Sequence, residues 1–252
     1  MRTLIVSCSP KRRLSASGLL ACVQRLSVRG TVRRLALRRR GDLPAVLEHL
    51  CQADAVILSM PLYVDGVPSH VLEFLREAET FCKENDLHPR LYCIANNGFI
   101  EGRQSEPLMR TLENFCARSG LDWCGGVGVG GGVMLNVNAV LMCLKLALLP
   151  VSLLLNRLLP DGSTPLDVLA DTAINLLVLL ALCSTILFFL VRQGRAVSAG
   201  ADAGTHYTRV LIPSFIFIPM ANVFFVIVSL FQGGLFRGWL APKEIGQPNP
   251  EA

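Results

Sequence analysis

The feature that most constrains this chain is a pair of long stretches without a single charged side chain, both in its second half. Thr172 to Val191 gives twenty such residues between Asp171 and Arg192, and Val210 to Phe236 gives twenty-seven between Arg209 and Arg237. At 1.5 Å per helical residue, twenty residues reach about 30 Å, the thickness of a bilayer's hydrocarbon core. Pro213 and Pro219 interrupt the second stretch, which membrane helices tolerate better than soluble ones. The expectation is a membrane-spanning helical region over 163–252, with helices near 172–191 and 210–232. A third apolar segment, Asn138 to Leu159, contains Lys145, Pro150 and Arg157. The eleven uncharged residues between Lys145 and Arg157 suit a buried core helix better than a span.

Charge is distributed as unevenly as hydropathy. Residues 1–40 hold eleven Lys or Arg and no acid, 41–134 hold six basic and thirteen acidic residues, and 135–252 hold seven and six. The segment 160–171 has three acids and no Lys or Arg, whereas 192–209 has three arginines and one acid. If the N-terminal domain is cytoplasmic, the excess of Lys and Arg on cytoplasmic loops favours three crossings, whereas the two long uncharged stretches alone give two, and two is the expectation. The apolar start, Leu4-Ile5-Val6, is too short for a signal peptide and runs into Pro10-Lys11-Arg12-Arg13, so the N-terminal domain is expected in the cytoplasm.

Residues 1–134 alternate short apolar strands with amphipathic helices. Leu4–Val6, Thr31–Leu37, Ala53–Leu58, Leu91–Ala95 and a stretch from Trp123 through the Gly-rich run read as five strands. Between them lie a helix with Leu19, Leu20, Val23 and Leu26, a short one opened by Pro44, one started by Pro68 and one capped by Ser105. That alternation predicts a parallel sheet covered on both faces. Such a sheet binds ligands beyond the C-terminal ends of its strands. Three loops occupy that position. Ser7–Ser17 offers hydroxyls, cations and a helix N-terminus to an anion. Ser59–Pro68 offers an apolar-aromatic surface to a planar ring. Asn96–Gly102 offers amides to that ring's polar edge.

Other signals point away from chemistry by side chains. Nine cysteines, at 8, 22, 51, 82, 93, 116, 124, 143 and 183, are scattered in apolar runs without a C-x-x-C pair, which argues for reduced thiols and against zinc or iron–sulfur sites. His49, His70, His88 and His206 stand singly, so no metal site is expected and surface or capping roles are. Gly126–Gly131 matches G-x-G-x-x-G formally but lacks the acidic residue a dinucleotide fingerprint requires. No G-x-S-x-G elbow exists. Arg25, Arg29, Arg33, Arg34, Arg38, Arg39 and Arg40 form a basic cluster without interleaved aromatics. Anionic lipid headgroups explain it more economically than nucleic acid does, with plain solvation and a nucleotide phosphate as the other readings.

In order, these loops resemble the flavodoxin-like superfamily, and within it the FMN-binding, NAD(P)H-dependent oxidoreductases. The resemblance rests on Ser9-Pro10 with Ser15 and Ser17, on Ala53–Tyr63 ahead of Pro68, on Asn97-Gly98-Phe99 with Glu101-Gly102, and on Leu112–Cys116 followed by Gly130–Gly132. It implies an open parallel five-stranded sheet with helices on both faces over 1–162, with Asn138–Leu159 as its last helix. It further implies that Ser9, Arg12, Ser15 and Ser17 hold the FMN phosphate. Pro61, Leu62, Tyr63 and Val64 would flank the isoalloxazine, and Asn96, Asn97, Gly98 and Phe99 would border its redox-active edge. NADH or NADPH as donor, a homodimer and the absence of any catalytic side chain follow from the same resemblance, because hydride chemistry belongs to the flavin. The Arg12-Arg13 pair and the hydrophobic C-terminal region depart from the family. The membrane region suggests lipid contact and a membrane-held acceptor such as a quinone. Two alternatives stand beside this oxidoreductase: a flavodoxin-type electron carrier without direct NAD(P)H use, and a cofactor-free binding module on a membrane anchor.

Overall fold

In the computed structural model, residues 1–11, 15–158 and 164–231 are described. β1 (Arg2–Ser7), β2 (Thr31–Ala36), β3 (Ala55–Pro61), β4 (Arg90–Asn96), β5 (Asp122–Gly130) and β6 (His206–Arg209) form one sheet in the order β2-β1-β3-β4-β5-β6. Every neighbouring pair is parallel. The first five strands run 2-1-3-4-5, which is the flavodoxin-like order, with its reversal between β1 and β3. β6 is a sixth strand that sequence reading does not predict. His-Tyr-Thr-Arg is four residues long and carries no apolar run, so only pairing with β5 makes it a strand.

Alternation along the strands divides the core into two layers. Leu4, Val6, Val56, Leu58, Leu91 and Cys93 face a cluster built by α2 (Leu43–Leu50), α3 (Ser69–Glu84) and α4 (Glu106–Ser119), including Val46, Val71, Phe74, Leu112 and Phe115. Ile5, Ile57, Tyr92 and Ile94 are buried on the other face, which α1 (Ala16–Ser27) and α7 (Ser184–Ala199) cover. β3 is buried throughout because it lies inside the sheet, which is why its sequence is apolar except for Ser59.

The helix that completes the fold is α7, where the sequence leads one to expect Asn138–Leu159. Ile186, Leu190 and Val197 of α7 are buried. Ser27 Oγ donates to the Leu190 carbonyl at 3.3 Å, the Arg29 amide donates to Ser198 Oγ at 2.9 Å, and Gln193 Nε2 donates to the Cys93 carbonyl at 3.0 Å. The chain then returns through Ala201, whose carbonyl accepts from the Tyr92 hydroxyl at 2.8 Å, to β6.

The uncharged stretch 172–191 is accordingly not one helix. It joins the end of α6 (Pro165–Leu182) to the start of α7, with the break at Cys183. The two halves are apolar for different reasons: α7 because it is buried against the sheet, α6 although it is almost wholly exposed. α5 (Gly132–Leu158) buries Met134 and Leu135 near its start, lies beside α1, and then projects. α5 and α6 lie against each other as an antiparallel pair, with Lys145 Nζ at 2.5 Å from Asp171 Oδ2. Met134–Leu155 (22 residues) and Pro165–Leu182 (18 residues) are the helices long and apolar enough, among the described residues, to cross a membrane. The compact unit that contains the sheet runs from Met1 to Leu211, beyond the boundary expected at 162, and 162 itself lies outside the described residues. α8 (Ser214–Phe231), with Pro219 inside it, belongs to the remaining unit and coincides with the helix expected near 210–232, of which Gln232 lies outside the described residues.

Candidate functional site

Because all six strands are parallel, their C-terminal ends lie along one edge. Ser7 pairs with Ala36 and with Ser59, Pro61 with Asn96, Asn96 with Val129, and Gly130 with Arg209. The loops after β1, β3 and β4 meet at this edge, beside the reversal of strand order.

The first loop ends in the N-terminus of α1. Ser15 is the N-cap, its hydroxyl accepting from the Gly18 amide at 3.1 Å. The leading amides, those of Ala16 and Ser17, have no acceptor among the described residues and carry the positive end of the helix dipole. Ser9 is buried, with its hydroxyl 3.4 Å from the Lys11 amide. Ser17 is turned inward: its hydroxyl donates to Asn96 Oδ1 at 2.6 Å while its carbonyl accepts from Ser59 Oγ at 2.8 Å. Ser17 therefore stitches α1 to β3 and β4. Arg12, the cation expected at the phosphate, lies outside the described residues.

The second loop leaves β3 at Pro61. The Leu62 amide donates to the Asn96 carbonyl at 2.8 Å, which ties this loop to the next one. Tyr63 and Gly66 exchange backbone hydrogen bonds across a tight turn whose tip, Val64 and Asp65, has φ of 47° and 56°. That turn thrusts Val64 entirely into the open, with Tyr63 42% exposed beside it. Partial burial raises the Tyr63 phenol, so it is neutral at physiological pH.

The third loop is built on glycines of β5. The Asn97 amide donates to the Val129 carbonyl at 3.0 Å, the Gly131 amide to the Phe99 carbonyl at 2.6 Å and the Gly132 amide to the Asn97 carbonyl at 2.8 Å. A Cβ on Gly130 would strike the Ile100 carbonyl oxygen, and one on Gly132 would come within 2.9 Å of Asn96 Nδ2. The glycine run thus lets the loop following Gly98 lie against the sheet, which is a role unrelated to dinucleotide phosphates. Asn97 is buried; its Nδ2 donates to the Glu101 carbonyl and to Ser105 Oγ, both at 3.1 Å, and its Oδ1 is a buried acceptor without a donor. Phe99 is 58% exposed. Beside these loops Asp65, Glu101, Arg103, Gln104, Glu106 and Arg110 line an open cavity of about 640 Å³. Arg110 and Arg103 hold the Glu106 carboxyl below the usual range.

Sequence reading treats His70 as a surface or capping residue; its Nε2 lies 3.1 Å from the Cys8 carbonyl, closing α3 onto the first loop. Burial pushes the thiols of Cys8 and Cys93 up, and that of Cys116 up to about 12, so none supplies a thiolate nucleophile. No group of three or more potential metal ligands occurs among the described residues.

The arrangement fits a flavin mononucleotide. A capped helix N-terminus with two serine hydroxyls suits a phosphate, an apolar turn suits a ring face, and a buried acceptor oxygen lies in the loop that would meet the ring's edge.

No family model and no curated protein matches the sequence. Among solved structures, the chain is similar to the Trp repressor binding protein from Bacillus subtilis, at 19% identity over 51% of this chain and 84% of that one, with a TM-score of 0.43. It is similar to an NAD(P)H:quinone oxidoreductase from Methanothermobacter marburgensis at 14% identity, over 52% of this chain and 84% of that one, with a TM-score of 0.43. It is also similar to an FMN-dependent NADH-azoreductase from Bacillus anthracis str. Ames Ancestor in complex with FMN, at 12% identity over 79% of this chain and all (100%) of that one, with a TM-score of 0.45. The flavodoxin-like fold stands on the strand order itself.

Proposed function

We propose that this chain is a membrane-anchored, FMN-dependent oxidoreductase that takes hydride from NADH or NADPH and reduces an acceptor held in the membrane, such as a quinone. The observation that carries this reading is the meeting of three loops of complementary chemistry at the strand reversal, tied together through Asn96: Ser17 Oγ to its side chain and the Leu62 amide to its carbonyl. Ser9, Ser15 and the leading amides of α1 would hold the phosphate. Pro61, Leu62, Tyr63 and Val64 would flank the ring, and Asn96 to Phe99 would border its edge. When bound, FMN supplies the hydride chemistry. The protein's task is to bind, orient and exclude water, and Asn97 Oδ1 offers its unspent acceptor to a donor on the ring's edge. The α5–α6 pair supplies the membrane anchor, its two helices matching bilayer thickness at about 33 and 27 Å.

Titration of the detergent-purified chain with FMN tests the site. Stoichiometric quenching of flavin fluorescence, weakened by Asn97→Ala, is the expected result. No quenching at any FMN concentration would leave a cofactor-free module on an anchor.

A further inference from the structure

We infer that the edge of the sheet carrying the proposed flavin loops is the surface that lies against the bilayer, with the 61–67 turn and Phe99 at the lipid interface. This rests on the membrane reading above for α5 and α6, and it adds which side of the domain the membrane touches. Three observations converge on it.

The first is the absence of any linker. α5 begins at Gly132, two residues after β5 ends, and its apolar span begins at Met134. α6 ends at Leu182, whose carbonyl accepts from the Leu211 amide at 2.9 Å, two residues beyond the end of β6. Thr185 Oγ1, just after the break, donates to the Arg209 carbonyl at 3.1 Å. Both ends of the helical pair are thus fastened to the C-terminal ends of β5 and β6. Met134 follows the strand end, Gly130, by four residues, about 6 Å at 1.5 Å per residue. A pair so rooted draws that edge to the hydrocarbon boundary.

The second is what else this edge presents. Tyr63, Val64 and Phe99 stand exposed on it, at 42%, 102% and 58%, in loops whose backbones are held by hydrogen bonds. The interfacial zone of a bilayer suits aromatic and branched apolar tips that stand this far out, beside whatever part of them a bound ring would cover. The third is charge. Arg38, Arg39 and Arg40 follow β2 at the same edge and are exposed, where anionic headgroups would meet them. The Phe99 carbonyl and the Asn97 carbonyl, moreover, take the Gly131 and Gly132 amides at the root of α5, so the ring-edge loop and the membrane helix share one hydrogen-bonded corner. An acceptor dissolved in lipid would reach this corner without crossing water.

The test uses the full chain reconstituted in phosphatidylcholine–phosphatidylglycerol vesicles. An environment-sensitive fluorophore is attached in turn at V64C, F99C and native Cys51, the remaining accessible cysteines being replaced by serine. Cys51 is exposed and precedes β3, at the opposite edge about 20 Å away. Lipids brominated on their acyl chains should quench the labels at Val64 and Phe99 several-fold more than the label at Cys51. Equal quenching at the three positions, or stronger quenching at Cys51, would overturn the proposal. The readout needs no flavin, so a chain that fails to bind FMN would still report which edge meets the lipid.

Discussion

Replacing Lys145 by leucine is expected to cut membrane integration of the chain, and replacing Asp171 by leucine as well is expected to restore it. Lys145 lies thirteen residues into α5 and Asp171 eleven residues before the end of α6, which puts both about 16–20 Å from the sheet edge. In the membrane reading that is the interior of the bilayer, where ionisable groups survive by pairing. Lys145 Nζ meets Asp171 Oδ2 at 2.5 Å, and Asn175 Nδ2 donates to Asp171 Oδ1 at 2.9 Å. Removing one partner strands the other. The carbonate-resistant fraction of Lys145→Leu should therefore fall roughly tenfold or more, and the double leucine variant should return close to the parent. A single variant that integrates like the parent would show that the pair faces water.

Gly130→Val is expected to abolish FMN binding and to destabilise the sheet-bearing unit by about 3 kcal/mol. The new side chain would meet backbone on every near side: the Ile100 carbonyl oxygen, the Glu101 carbonyl carbon at 2.7 Å and the Gly102 nitrogen at 2.7 Å. Backbone cannot rotate away as a flexible side chain can, so the whole 100–102 turn must lift. It would take with it the side chain of Asn97, whose Nδ2 donates to the Glu101 carbonyl. Gly41→Ala is the control, since the nearest atom to its Cβ is Arg39 Nε at 4.0 Å. Urea unfolding and FMN titration of both variants check this; a Gly130→Val chain that keeps its flavin would show that the loop's close packing is dispensable.

What the sequence makes legible depends on whether a residue's partners are local. β3 and β4 declare themselves by unbroken apolar runs, and α3 and α4 by their periodicity, so the sheet, its faces and the three ligand-edge loops can be read directly. The last helix cannot. α7 owes its place to Leu190, Gln193 and Ser198 meeting Ser27, Cys93 and Arg29 from far away in the chain. Its apolar first half merges in sequence with the exposed end of α6, and hydropathy does not distinguish burial in protein from exposure to lipid. Lys145 excludes α5 from the spans only while Asp171, twenty-six residues on, is not known to face it. Arg192, Arg195 and Arg209 belong to the same compact unit as the sheet, so under the proposed α5–α6 anchor they would lie on that unit's side. In the site, Ser17 looks from its position like a phosphate ligand, whereas its hydroxyl is spent on Asn96.

The measurement that bears most directly on the account is the visible spectrum of the purified, FMN-loaded chain before and after anaerobic addition of NADPH, and separately of NADH. The account predicts flavin absorbance that bleaches with at least one of the two nucleotides and recovers when a lipid-soluble quinone is added. Flavin that stays oxidised with both would contradict it and make the chain an electron carrier instead.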